Sequence, residues 1–280
     1  MTNLAGSLSR PPRRITERTL TLTILALAAA AWVTIAFTHG TSLDHHALGA
    51  LLPDGAGHDP AGHGTHTGGS QLYSVMLLVL SGWFLMILAM MLPPALPLVQ
   101  TMRNLTAQQR QGLSLLILGV VAFVAVWVAV GALMLGGDAA LHAVVQQQSW
   151  ADQAAPFITG GVLVAAGLYQ FSPLKQACLR ACRSPRSFAL AHWSGRRSPA
   201  VEMITLSSSY AVSCVGCCWA LMAVSLAVGA AALPVMVMLT VVMAAERLVS
   251  WGRRLVIPAG FALLLFGVLV ALRALPVATT

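Results

Sequence analysis

The chain has 280 residues, of which 58% are hydrophobic and only 9% charged, and it carries a formal net charge of +8. No water-soluble domain of this size can hide so much apolar surface. The composition therefore excludes a soluble enzyme or binding module and predicts an all-α, polytopic transmembrane helix bundle.

Residues 1–19 form a basic leader holding Arg10, Arg13, Arg14 and Arg18, followed by the apolar run Leu20–Phe37. A secretory signal would have a shorter apolar core and a small-residue cleavage site, so residues 20–38 read as a retained first anchor. Residues 39–71 are rich in glycine and contain His39, His45, His46, His58, His63 and His66, six of the eight histidines, together with Asp44 and Asp59. Imidazole and carboxylate at irregular short spacing hold Cu(II), Zn(II) or Ni(II) loosely. Weak capture of metal on the outer face is expected from these six histidines, against the plainer reading of a solvated tether.

The main bundle is expected over residues 72–272, with spans at Leu72–Leu92, Leu113–Leu135, Pro156–Phe171, Val201–Val228, Leu233–Val249 and Leu255–Leu272, and a short tail at 273–280. With the anchor, that makes about seven spans. Alternating sides places the basic leader, Arg103, Arg110, Lys175, Arg180, Arg183, Arg186, Arg196, Arg197, Arg247, Arg253 and Arg254 together, and leaves Arg273 opposite. The positive-inside rule then puts the N-terminus in the cytoplasm and the C-terminus outside. The positive charge follows from topology; the basic loops lack the interleaved aromatics of a nucleic-acid surface.

Within the second span, Met86 and Met90 lie one helical turn apart, Met91 follows, and Pro93, Pro94 and Pro97 end or kink the helix. A methionine stripe more often packs than ligates. After the fourth span, Ser172-Pro173 reads as a helix start. Cys178 and Cys182 then fall at i and i+4 on a short basic helix expected to lie on the inner membrane surface. Lys175, Arg180 and Arg183 beside them favour thiolate, and a reducing compartment disfavours a stable disulfide.

The densest chemistry is in the fifth span, Ser213-Cys214-Val215-Gly216-Cys217-Cys218-Trp219-Ala220-Leu221-Met222. On a helix Cys214, Cys217 and Cys218 share a face, and Met222 extends the stripe by a turn. Thiolate and thioether donors select soft ions, Cu(I) first and zinc as a possibility. The plainer reading is that cysteine is a small apolar residue that packs well. Two carboxylates lie near helix ends: Glu246 is expected to pair with Arg247, and Glu202 with Arg196 or Arg197.

Tyr169-Gln170, Ser172-Pro173-Leu174-Lys175, Cys178, Cys182-Arg183-Ser184-Pro185, Cys214-Val-Gly-Cys217-Cys218-Trp219 and the Ala89-Met90-Met91-Leu-Pro93 box together resemble the bacterial DUF2182 family of predicted metal-binding, copper-chaperone-like integral membrane proteins, over about Leu72–Leu272. The resemblance implies copper association in a bacterial plasma membrane, without an established reaction. It also leads one to expect His-Gly where this chain has Tyr210-Ala211.

The expected function is thus membrane copper handling: binding, chaperoning or transfer of Cu(I). Met86, Met90, Met91, Cys214, Cys217, Cys218 and Met222 form the inner set, Cys178 and Cys182 an inner-face station, and a metallochaperone or metalloenzyme would be the partner. A membrane thiol–disulfide oxidoreductase is the rival, although no charged group flanks the triplet in the sequence to stabilise a thiolate. A non-metal assembly subunit is a third reading, resting on the glycines and alanines that permit close helix packing. No phosphate loop, dinucleotide fingerprint, HExxH or serine-nucleophile motif occurs, so the chain is not expected to be an ATP-driven pump or a hydrolase.

Overall fold

The computed structural model describes residues 17–40, 68–145, 151–228 and 233–273. Among these residues there is no strand. In chain order the helices are α1 (Glu17–Gly40), α2 (Gly68–Met90), α3 (Leu96–Thr106), α4 (Gly112–Val145), α5 (Ala151–Gln170), α6 (Pro173–Arg183), α7 (Pro185–His192), α8 (Pro199–Val228), α9 (Leu233–Leu248) and α10 (Val256–Arg273). Short 3-10 turns occupy Pro93–Ala95 and Gly252–Leu255. Helix is the form in which an apolar segment satisfies every backbone polar group without water.

Four stretches are long and apolar enough to cross a bilayer: Glu17–Phe37, Gly112–Leu141, Pro199–Val228 and Gly252–Arg273. Two bent pairs, Val79–Met90 with Pro93–Thr106 and Ala155–Gln170 with Pro173–Arg183, raise the number to as many as six among the described residues. The remaining expected span, Leu233–Val249, coincides with α9, whose 16 residues cover about 24 Å, less than the roughly 30 Å of a hydrocarbon core.

Both bends have local causes. At the end of α2 the amides of Met91 and Leu92 both donate to the Ile87 carbonyl, at 2.9 and 3.2 Å. Pro93 and Pro94 then have no N–H to offer, and α3 leaves at 51°. Between α5 and α6 the turn is 65°. There Ser172 adopts an extended backbone, its Oγ accepts the Lys175 amide at 3.1 Å, and Pro173 occupies the first turn, as expected of this helix start.

α6 does not lie free on a membrane surface. It packs against α8 and buries Lys175, Leu179 and Cys182, one face of the short helix, within the bundle. The basic residues that suggested an interfacial helix are divided: Lys175 turns inward and Arg180 outward.

α8 is the axis of the molecule. It contacts α4, α5, α6, α7 and α9, and its buried residues run from Glu202 to Ser225. The periphery is apolar and open, with Leu22, Val121, Phe261 and Leu265 all exposed, as expected of a lipid-facing surface. Small residues let α5 and α10 approach closely: a Cβ on Gly160 would stand 2.9 Å from the Gly267 carbonyl oxygen, and one on Gly167 would stand 3.0 Å from that of Gly260. Those two contacts also make the pair antiparallel. In a bilayer, where apolar burial gives helices little reason to associate, such contact is the main source of cohesion.

Candidate metal centre

The cysteine triplet lies midway along α8, with all three thiols buried. The Cys217 and Cys218 thiols each donate back to the Cys214 carbonyl, at 3.1 and 3.0 Å. These back-bonds fix both sulfurs toward the same side of the helix. Cys214 has the thiols of Cys182 and Cys218 as neighbours.

Two further helices bring sulfur to this face. From α6, the Cys182 Sγ stands 3.7 Å from that of Cys217. From the end of α2, the Met91 Sδ lies 3.9 Å from the Cys218 Sγ. The inner-face station and the α8 triplet, read separately from the sequence, therefore meet in one cluster. Met91 is the methionine whose sulfur reaches a thiol, while Met86, Met90 and Met222 are buried in the surrounding core.

Gly216 makes the approach of α6 possible, because a Cβ there would stand 2.6 Å from the Cys178 sulfur. The Tyr169 hydroxyl donates to the Gly216 carbonyl, and its ring packs edge-on against Trp219 at 5.0 Å. Tyr210, at the position where the resemblance leads one to expect histidine, is not placed as a ligand. Its hydroxyl donates to the Cys182 carbonyl at 2.8 Å, tying α6 to α8 one turn before the triplet.

No local spacing in the sequence ties the triplet to α9. Arg247, near the end of α9, reaches into the cluster, and its Nη2 donates to Cys217 Sγ at 3.1 Å, Cys218 Sγ at 3.0 Å and the Cys214 carbonyl at 3.3 Å. The expectation that no charge flanks the triplet is corrected here: the cation comes from another helix. The pairing of Glu246 with Arg247 is corrected with it, since the Glu246 Oε2 accepts from Lys175 Nζ at 2.8 Å in an almost fully enclosed ion pair. Arg183, at the end of α6, donates to the carbonyls of Glu246 and Ser250 and so ties α6 to the end of α9.

Glu202 is held differently as well. Its carboxylate accepts from Ser194 Oγ and from the backbone amides of Gly195, Arg196 and Arg197, at 3.0, 3.1 and 3.3 Å for the amides. Gly195, at φ +68°, turns the chain so that these amides converge. It is thus the Ser194 hydroxyl and three backbone amides that receive Glu202.

Among the described residues, no group of three or more His, Cys, Asp or Glu side chains is arranged to hold a metal ion as they stand. Two sulfurs sharing an ion at about 2.3 Å stand roughly 3.8 Å apart in a tetrahedral arrangement and about 4.0 Å apart in a trigonal one. The observed 3.7 and 3.9 Å are separations that one soft ion could bridge. Thiol and thioether donors suit soft ions, copper among them.

A family model described as a copper chaperone, PpoB2, matches residues 80–270. The chain belongs to the PpoB2 copper-chaperone family. No curated protein and no solved structure matches it. The matched segment contains every sulfur of the cluster, as well as Lys175, Glu246 and Arg247, and it leaves out α1. Family and apolar helices together fit a membrane copper-handling protein, which is the level at which the sequence resemblance is borne out. His45, His46, His58, His63 and His66 lie outside the described residues, as does the side chain of His39.

Proposed function

We propose that this chain binds Cu(I) at the sulfur cluster and transfers it to a protein partner. Cys182 and Cys217 would be the principal donors, with Cys214, Cys218 and Met91 beside them and Met86, Met90 and Met222 as a surrounding thioether supply. The observation that carries the reading is the convergence of thiols from α6 and α8 at 3.7 Å inside an apolar bundle. Cys178, half-buried against Gly216, would be the sulfur nearest the edge of the site. The outer histidines would offer metal to the bundle from the far side.

For the setting we propose a bacterial plasma membrane with seven crossings, the N-terminus inside and the C-terminus outside. Support comes from Arg183, whose hydrogen bond to the Ser250 carbonyl brings the α9–α10 junction level with α6. The antiparallel α5–α10 pair then carries the chain end back toward the side from which α5 starts.

Purified protein loaded with Cu(I) under reducing conditions is expected to retain about one ion or more per chain against a chelator that strips exchangeable copper. Replacing Cys214, Cys217 and Cys218 together by serine is expected to abolish that retention; unchanged retention would remove the site. A second reading, a thiol–disulfide oxidoreductase without resident copper, gains from the same cysteine pair and from Arg247. Cys182 and Cys217 would then lose two protons and two electrons to form one disulfide, with a membrane quinone as acceptor. Alkylation trapping of the same protein separates the two, because only the oxidoreductase must show a disulfide population that follows respiratory state.

A further inference from the structure

The charges packed around the thiols do not cancel. Lys175 and Glu246 neutralise one another at 2.8 Å, and Arg183 sits at the edge of the bundle and gives its hydrogen bonds to carbonyls. That leaves Arg247, buried, in ion-pair contact with no carboxylate among the described residues, and bonded to two sulfurs and a carbonyl. A guanidinium cannot shed its proton in a protein, and a buried cation needs an opposite charge. The only groups in contact able to supply one are the sulfurs.

We propose that Arg247 is a specificity-determining residue: its fixed charge makes the cluster select a monovalent ion held by two thiolates over a divalent one. The inference rests on the copper reading and deepens it. Cu(I) on two thiolates carries one negative charge, and any thiol proton it displaces leaves to solvent. Arg247 brings the buried set to zero. A divalent ion on the same two thiolates forms a neutral complex and leaves the guanidinium uncompensated in a low-dielectric interior. Arg247 acts through the sulfurs and is not itself a ligand; its role is that of the outer partners that tune a metal site.

The test compares Cu(I) and Zn(II) affinities of the purified full chain, by chelator competition and metal analysis, for the wild type, Arg247→Gln and Arg247→Lys. Arg247→Gln is expected to weaken Cu(I) binding by about 10- to 100-fold, the usual scale for an outer partner, while Zn(II) binding holds or improves. Arg247→Lys is expected to restore most of the Cu(I) preference, which a purely steric role would not do. An unchanged Cu(I)-to-Zn(II) ratio in Arg247→Gln overturns the inference while leaving the copper reading intact. Failure of the wild type to bind Cu(I) at all overturns both. Should Arg247→Gln not be recovered folded, the wild type itself decides through Ag(I) and Cd(II), two thiophilic ions of different charge. The chain is expected to favour Ag(I) well beyond the ratio given by a free dithiol peptide, and an equal ratio rejects charge selection.

Discussion

At the scale of single residues, the pair that isolates Arg247's charge is Lys175 with Glu246. Both side chains are almost fully enclosed, and removing one member of a buried pair leaves the other charge without an opposite, a loss of about 3–5 kcal/mol. Glu246→Gln and Lys175→Met are each expected to lower the thermal unfolding temperature of the detergent-solubilised protein strongly. The double variant removes both charges together and is expected to recover most of that loss. A double as unstable as the two singles added would show that the residues act independently. The sequence displays both residues and hides their partnership. Glu246 adjoins Arg247 in the chain, but neighbouring helix positions point about 100° apart. Glu246 therefore meets Lys175, 71 positions earlier, while Arg247 meets Cys217 and Cys218, 30 and 29 positions earlier. The thiol triplet was legible because i, i+3, i+4 is a local relation. The arginine that answers it was not, because its contact depends on how α9 packs against α8.

At the scale of elements, α6 is the short helix on which the cluster depends. Its start was readable from Ser172-Pro173, since a capping hydroxyl and a first-turn proline are local signals, and its burial was not, since the four basic or polar positions Lys175, Gln176, Arg180 and Arg183 outweigh one inward stripe in any composition argument. The Ser172 Oγ bond to the Lys175 amide fixes where the helix begins, and hence the rotation that turns Lys175 toward Glu246 and Cys182 toward Cys217. Ser172→Ala is expected to cost about 1 kcal/mol, measured as a lowered unfolding temperature, and to weaken Cu(I) retention by loosening Cys182. Ser172→Asp keeps a capping oxygen and is expected to retain both. Loss of stability with retention unchanged would mean that Cys182 holds its place by packing with α8 alone.

At the scale of the whole molecule, the number of spans and the sidedness of the termini are one question, and α9 decides it. Composition located the apolar runs, because each is long and local. It could not count the crossings, because two runs are bent and α9 is only 16 residues long. Contacts between distant segments constrain the path further. α8, with 30 residues, covers about 45 Å, and the end of α9 stands beside its middle, where Arg247 meets Cys217. Arg183 joins that same end to α6, so Lys175, Arg183, Arg247, Arg253 and Arg254 gather at one level of the bundle. If α9 stayed on the outer side, these cations would be divided between compartments against the positive-inside bias; if it crosses, snorkelling side chains at its basic end make up the missing length. Seven crossings place the termini on opposite sides, and six place them on the same side. An alkaline phosphatase fused to the C-terminus is therefore expected to be active and one fused to the N-terminus inactive, with a fluorescent protein giving the reverse pattern. Phosphatase activity at neither end would confine both termini to the cytoplasm. α9 would then have to be an element that enters and leaves by the same face, with the thiol cluster at its turning point.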